Sequence, residues 1–210
     1  MDYLFRAWPP AGPEVLSLPG ADIRFEPRFL GSPTADRVFR TLLNDTPWEA
    51  RKVFVWGQWR LQPRLVAWYG DPEARYSYSG DTLEPIPWSA TLAELRGRVE
   101  AGAAAAFNSV LLNLYRDQND RMGWHNDDEP ELGATPVIAS LSLGETRRFM
   151  FKRRDKRHPG IVSVELPHGS LLVMAGDTQK NWVHAVNSEA NPCGPRINLT
   201  FRLIRPRLNC

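Results

Sequence analysis

The chain has 210 residues, of which 42% are hydrophobic and 24% are charged, the composition of an ordinary globular protein rather than a disordered one. A net charge of +2 does not by itself indicate a nucleic-acid-binding protein, and two cysteines, Cys193 and Cys210, exclude a disulfide framework. No basic segment followed by a long apolar run opens the chain, and no stretch is long and apolar enough to span a membrane. We therefore expect one soluble domain over residues 1–210, located in the cytoplasm, with no membrane partner.

The first half of the chain predicts two helices among irregular segments. Residues 1–30 are rich in proline and glycine, which predicts a surface arm with little chemistry. One helix is predicted from Ser32 as its N-cap, with proline in the first turn, and a second helix from Ser89. The aromatic and proline-rich segment 53–88 favours strands and turns. The apolar positions that these helices should bury are Ala35, Val38, Phe39, Leu42, Leu43, Leu92, Leu95 and Val99.

Short β-type runs broken by turns follow from about residue 107 to the end of the chain. Six or more short strands with few helices predict an antiparallel sandwich or barrel, such as a jelly roll. The arm and helices then occupy about 1–106, and the β core about 107–210. The predicted strands are 110–115, 137–143, 148–152, 161–166, 170–175 and 196–204.

Two potential metal ligands lie two residues apart in His125-Asn126-Asp127. In an extended backbone alternate side chains project to one face, so this imidazole and this carboxylate can converge. His184 lies among alternating apolar residues, which suggest a strand that brings a second imidazole to the same point. Two histidines and one carboxylate form the facial triad of non-haem iron(II) oxygenases, which leaves positions open for a co-substrate and oxygen. Such triplets alone are weak evidence, because they are common on solvated loops.

The segment Arg196-Ile197-Asn198-Leu199-Thr200-Phe201-Arg202 alternates polar and apolar residues. This pattern predicts a strand with one face in the core and the other in a site. If the strand lies inside a sandwich, Arg196 and Arg202 are buried and need anionic partners, which a dicarboxylate would supply through bidentate contacts. The alternative is a solvent-facing edge strand with free arginines, and the metal triplet disfavours it.

A matching polar face is predicted on the strand around Asn113 and Tyr115. These two side chains point to the same side of the strand, while Leu112 and Leu114 point to the other. We expect Asn113 and Tyr115 to complete the pocket, with a half-buried strand aromatic as the alternative for Tyr115.

Basic residues cluster in three places that could contact phosphates if they share a face. They are Lys152 to Arg157, Arg51 with Lys52, and the surroundings of Arg60 and Arg64. Arg64 is a candidate substrate contact. A solvated basic loop is an equally good interpretation of each cluster.

From about residue 53 to 204 the sequence resembles the AlkB family of nucleic-acid dealkylating oxygenases, and most closely its duplex-DNA repair branch. The family-like elements are Pro63-Arg64, Tyr69-Gly70-Asp71, Tyr76-Ser77-Tyr78-Ser79-Gly80, Phe107-Asn108, Asn113-Leu114-Tyr115-Arg116, His125-Asn126-Asp127-Asp128-Glu129, His168-Gly169-Ser170-Leu171, Trp182-Val183-His184 and the Arg196 to Arg202 segment.

The resemblance implies a mainly β fold with flanking helices: a double-stranded β-helix, or jelly-roll, core with an N-terminal helical and nucleotide-recognition lid. It implies iron(II) ligated by His125, Asp127 and His184, with 2-oxoglutarate and O2 as co-substrates. By the same resemblance Arg196, Tyr115 and Asn198 would hold the distal carboxylate of 2-oxoglutarate. Arg202 and Asn113 would lie near its iron-side carboxylate.

The implied substrate is an N-alkylated base such as 1-methyladenine or 3-methylcytosine in DNA, with RNA left open. The implied products are formaldehyde, succinate and CO2. By resemblance Tyr78 and His125 would sandwich the flipped base, with Tyr76 nearby, and Glu129 would meet its exocyclic amino edge. Trp56 falls where the duplex-repair branch inserts an aromatic finger into the base stack. The loop 187–192 lacks the basic cluster that this branch uses on the opposite strand, so duplex preference stays open.

Two alternatives belong to other functional classes. One is an oxygenase of the same fold that acts on RNA or another substrate, and the other is a non-catalytic nucleic-acid-binding module with a vestigial pocket. The intact triad and both arginines argue against the second. We expect a monomer with no obligate protein partner.

Overall fold

Short antiparallel strands make up most of the computed structural model, which describes residues 13–55, 57–74, 76–78, 81–155 and 160–205. The strands are β1 Glu14–Val15, β2 Asp22–Glu26, β3 Lys52–Val55, β4 Gln58–Leu61, β5 Leu65–Gly70, β6 Tyr76–Tyr78, β7 Asp81–Leu83, β8 Ser109–Tyr115, β9 Met122–His125, β10 Ile138–Gly144, β11 Arg147–Arg153, β12 Ile161–Leu166, β13 Ser170–Ala175, β14 Trp182–Val186 and β15 Arg196–Arg202. The helices are α1 Ser32–Asp45, α2 Ala90–Ala103 and the single turn α3 Thr178–Asn181. None of the described helices is long and apolar enough to cross a membrane.

The strands form two main sheets that face each other. The major sheet has seven strands in the order β1-β2-β13-β10-β15-β8-β5, and the minor sheet has four in the order β12-β11-β14-β9. Their inner faces share one apolar cluster, in which Leu172 and Met174 of the major sheet join Phe149 and Phe151 of the minor sheet. The predicted jelly-roll core is confirmed. Two hairpins, β3–β4 and β6–β7, form separate two-stranded sheets.

The outer face of the major sheet is covered by the two long helices. Val38 and Leu42 of α1 and Leu92 and Leu95 of α2 pack against it in a second buried cluster. On β15 the residues Ile197, Leu199 and Phe201 belong to this helix-side cluster, so the alternate residues must point between the sheets. This alternation directs the polar face of β15 into the interior.

The helix predictions are confirmed, with one correction at a helix start. Ser89 is the N-cap of α2, and its Oγ accepts a hydrogen bond from the backbone N–H of Leu92 at 3.3 Å. Ser32 was predicted to be the N-cap of α1, but it is the first residue of the helix. The cap is Gly31, whose carbonyl accepts from Thr34 and Ala35 at 3.0 Å each, and no side chain caps the end.

The prediction of an irregular arm over 1–30 is wrong for residues 22–26. That segment is β2, which pairs with β13 inside the major sheet and buries Ile23 and Phe25 completely. Its alternating pattern is only five residues long and lies between glycine and proline, which concealed it. Because β2 and β5 both join the major sheet, the β core draws on both halves of the chain. The six strands predicted after residue 107 are all present, although β15 ends at Arg202 rather than at 204.

Candidate metal centre and its pocket

The predicted ligands converge at one edge of the minor sheet. His125 is the last residue of β9, and it lies directly opposite His184 of β14, with the ring centroids 4.2 Å apart. Asp127 follows two residues after the end of β9, and one carboxylate oxygen lies 3.5 Å from Nε2 of His184. The donor atoms of all three residues lie within 4.8 Å of one another. Cross-strand pairing therefore brings together ligands that are 59 positions apart in the chain.

Each imidazole is oriented by a neighbour. Nδ1–H of His125 donates a hydrogen bond to the carbonyl oxygen of Gly123 at 2.9 Å, which leaves the lone pair of Nε2 available for an ion. The ring of His184 stacks on Phe149 at 5.1 Å between centroids and 22° between planes. Both rings are thus held before any ion arrives.

Electrostatics keep His125 and Asp127 in the protonation states that bind a cation. Burial and the neighbouring His184 lower the pKa of His125 to about 3, so its imidazole is neutral at physiological pH. Burial works to raise the pKa of Asp127, but Arg202 and His184 outweigh it, and the pKa lies well below its usual value. Neutral imidazoles and an ionised carboxylate are the forms that bind metal ions. Two nitrogen ligands and one oxygen ligand on one face of the ion fit iron(II), with its other coordination positions left open.

Arg196 extends this site on the neighbouring sheet as an incompletely paired cation. Its side chain is 1% exposed, and Nη2 donates to Oγ of Ser142 at 2.9 Å. Nε and Nη1 are buried and have no hydrogen-bond partner among the described residues. The guanidinium carbon lies 5.1 Å from the ring centroid of Tyr115, and burial lowers its pKa. Because two buried donors on a cation are costly, an anionic carboxylate fits this position.

Arg202 joins the metal ligands to the rest of the pocket. Its Nη2 donates to Oδ1 of Asp127 at 2.5 Å, leaving the second carboxylate oxygen facing His184. Asn198 donates to Oγ of Ser140 at 2.7 Å and its oxygen accepts from Thr200 at 3.0 Å. These bonds fix the polar side chains of β15 along one line toward Asp127.

A cleft between the sheets contains the triad and most of the predicted co-substrate residues. Asn113 and Tyr115 of β8 line it from the same side, as their spacing predicts, and Tyr115 is 2% exposed rather than half-buried. The lining residues are Leu111, Asn113, Tyr115, Met122, His125, Asp127, Ser140, Phe149, Met174, His184, Val186, Asn198, Thr200 and Arg202. The cleft therefore brings the metal donors together with the guanidinium of Arg202, and Arg196 packs against the lining residue Tyr115.

The predicted substrate contacts are placed less completely. Arg64 is buried, and its Nε donates to Oδ1 of Asn113 at 2.7 Å, so the guanidinium supports the pocket wall. Glu129 is partly buried in the segment after Asp127. Trp56 and the side chains of Tyr76 and Tyr78 lie outside the described residues. All five substrate roles stay predictions.

The basic clusters are largely paired where they are described. Arg51 bonds to Glu49 at 3.0 Å, and Arg154 bonds to Asp128 at 3.2 Å. The ammonium of Lys152 lies 5.3 Å from the ring centroid of Trp124. Solvated surface ion pairs of this kind contribute little to stability.

Several residues that support the site were not predicted. Gln179 contacts the segment that carries Asp127, and Ser142 holds Arg196. Arg147 is 1% exposed, lies 5.7 Å from the Tyr115 ring centroid and donates to three backbone carbonyls. The sequence signal for Arg147 was weak: it lies just before the predicted strand 148–152, at the spacing that puts it on the same side as Phe149 and Phe151, but the pattern fits a surface arginine equally well.

Comparison with known proteins agrees with an iron-binding and 2-oxoglutarate-binding site. A family model described as the 2OG-Fe(II) oxygenase superfamily matches residues 22–202. Alpha-ketoglutarate-dependent dioxygenase alkB homolog 3 of Bos taurus is 44% identical over 188 residues, which cover 86% of this chain and 65% of that protein. DNA oxidative demethylase ALKBH2 of Mus musculus is 40% identical over 185 residues, which cover 84% of this chain and 77% of that protein. The chain therefore spans slightly less than two thirds of the bovine relative and about three quarters of the mouse relative.

The fold has a counterpart among solved structures. The structure of OsALKBH1 matches with a TM-score of 0.62 at 16% sequence identity, covering 90% of this chain and all of that chain. At this identity the likeness concerns the arrangement of the sheets and helices.

Proposed function

Because the chain belongs to the AlkB family within the 2OG-Fe(II) oxygenase superfamily, we propose that it is a DNA repair dioxygenase that demethylates N-alkylated bases such as 1-methyladenine and 3-methylcytosine. One observation carries the proposal: the triad of His125, Asp127 and His184 lines one cleft with Tyr115. Tyr115 packs against Arg196, and two buried nitrogens of Arg196 lack a partner among the described residues. The mouse relative, DNA oxidative demethylase ALKBH2, supports the substrate class.

The residues of the site form two groups, one that would bind an ion and one that would bind a co-substrate. His125, Asp127 and His184 would hold iron(II), Arg196 with Tyr115 and Asn198 would bind the distal carboxylate of 2-oxoglutarate, and Arg202 and Asn113 would lie near its other carboxylate. When bound, iron(II) supplies the redox chemistry by which O2 and 2-oxoglutarate give succinate, CO2 and an N-hydroxymethyl group on the base. That group leaves as formaldehyde and restores the unmodified base.

The protein itself contributes orientation and the exclusion of water. Arg202 keeps the buried Asp127 carboxylate ionised and fixed, at a place where charge interactions are stronger than in water. Glu129 would accept from the exocyclic amino group of a cationic methylated base and compensate its charge. A methyl group on the pairing edge weakens the base pair, so such a base leaves the helix at reduced cost.

The test is a lesion panel with the purified protein, iron(II) and 2-oxoglutarate. We expect formaldehyde release and loss of the methyl group, by mass spectrometry, from oligonucleotides that carry 1-methyladenine or 3-methylcytosine. Equal amounts of methylated RNA and unmodified DNA run beside them, with Asp127→Ala as the inactive control. Turnover of RNA alone would point to an oxygenase of the same fold with another substrate. Binding without any succinate formation would point to a non-catalytic module.

We further propose that the protein acts as a monomer in the cytoplasm, with alkylated nucleic acid as its macromolecular partner. The chemistry of the cleft supports the nucleic-acid partner, because it requires an ion, small co-substrates and a base. Light scattering on the purified protein tests the oligomeric state, and imaging of a fluorescent fusion tests the location.

A further inference from the structure

Asp127 lies beyond the end of a strand, so strand pairing does not hold it in place. β9 ends at His125, the residue that pairs with His184. The backbone N–H of Asp127 donates instead to Oε1 of Gln179 at 3.1 Å, and the side chain of Asn126 donates to the carbonyl oxygen of Gln179 at 2.9 Å. Gln179 therefore holds the segment that carries the carboxylate through both its side chain and its backbone.

Gln179 is itself fixed in a turn that leads directly into the strand of the second histidine. It is 2% exposed and lies in α3, which is followed at once by β14. Oγ of Thr178 accepts from the backbone N–H of Asp22 at 2.9 Å, and Asn181 donates to the carbonyl oxygen of Gly20 at 2.7 Å. The turn is thus bonded to the N-terminal segment on one side and to Asp127 on the other.

We propose that Gln179 is a positioning residue for the metal, which holds Asp127 where His125 and His184 converge and thereby sets the affinity of the site for a divalent cation. The inference rests on the iron site of the proposed function. Without the amide oxygen, the N–H of Asp127 is buried and unpaired, and the peptide turns toward another acceptor and carries the carboxylate with it. Loss of a hydrogen-bonded neighbour of a metal ligand typically costs about 10- to 100-fold in metal affinity.

The test is calorimetric titration with manganese(II) alone. Gln179→Met keeps the side-chain volume and removes the acceptor, and we expect at least about tenfold weaker binding. Gln179→Glu keeps an acceptor oxygen, and we expect binding within about threefold of the wild type. The glutamate variant also tests the proposal if Gln179→Met does not fold, because a tenfold loss of manganese affinity in Gln179→Glu would contradict the assignment.

Asn181→Ala is the matched control, since it removes one hydrogen bond from the same turn on the side away from Asp127. It should lower the melting temperature and leave manganese affinity unchanged. Unchanged affinity in folded Gln179→Met, or an equal loss in Asn181→Ala, would overturn the proposal. If the wild type binds manganese no better than Asp127→Ala, the metal site and the proposed function fail together. If binding follows these expectations but methylated bases are not turned over, only the proposed function fails.

Discussion

Replacing Arg196 by methionine should move the stability of the apoprotein and the affinity for 2-oxoglutarate in opposite directions. In the apoprotein this guanidinium is 1% exposed, and two of its nitrogens, Nε and Nη1, donate to no acceptor among the described residues. Replacing a buried ion pair by apolar side chains of similar volume is often stabilising by about 1–4 kcal/mol, because the charges no longer have to be desolvated, and we expect the same sign for this poorly paired guanidinium. The orphaned Oγ of Ser142 opposes this by about 1 kcal/mol. We therefore expect the apoprotein melting temperature to rise by a few degrees, at about 2–4 °C per kcal/mol for a chain of this size.

The same change should nearly abolish co-substrate binding. Removing one partner of a buried, hydrogen-bonded charge pair costs about 2–5 kcal/mol, which corresponds to a loss of roughly 30-fold or more in affinity. Thermal melts with and without 2-oxoglutarate measure both quantities in one experiment, and calorimetric titration gives the affinity directly. The variant should melt higher than the wild type without 2-oxoglutarate and show no shift on its addition.

Arg147→Met provides the matched control. Arg147 is as deeply buried and also lies against Tyr115, but it donates to the backbone carbonyls of Asp117, Asp120 and Asn187. Its loss leaves those acceptors unpaired, at about 1–3 kcal/mol for each one that stays dry, so this variant should be clearly destabilised. If Arg196→Met destabilises the apoprotein as much as Arg147→Met, or binds 2-oxoglutarate normally, the assignment of Arg196 is refuted.

Three further predictions address the metal ligands and the lesion. Asp127→Ala should abolish demethylation and metal binding while the circular dichroism spectrum is retained; residual turnover would contradict its role as a ligand. Because burial and His184 lower the pKa of His125 to about 3 from 6.5, the unfolded chain binds one more proton between these values. The free energy of unfolding of the apoprotein should therefore fall by about 1.4 kcal/mol per pH unit as the pH falls below about 6.5. Denaturant titrations at several pH values measure this slope, and it should be smaller in His125→Asn. Trp56→Ala should reduce activity mainly on duplex substrates, and an equal loss on single strands would argue against an intercalating finger.

How far the fold can be predicted depends on how local its signal is. β15 was predictable because its residues alternate between the core side and the site side, and the pattern extends over seven residues. β2 was not, because it has only two buried residues in a proline- and glycine-rich segment and becomes a strand by pairing with β13. Cap positions such as Gly31 depend on the direction in which the chain enters the helix.

By itself the sequence determined which residues can do the chemistry. The two-residue spacing of His125 and Asp127 and the alternation of Arg196 to Arg202 follow from the period of an extended chain, which is a local property. Only the tertiary structure decided which of these side chains are paired and which are left with free donors. The bond from Gln179 to Asp127 joins residues 52 positions apart, and the bond from Arg196 to Ser142 joins residues 54 apart. Such contacts are set by how the two sheets pack, because the burial that makes an unpaired guanidinium costly exists only once the sheets have closed over it.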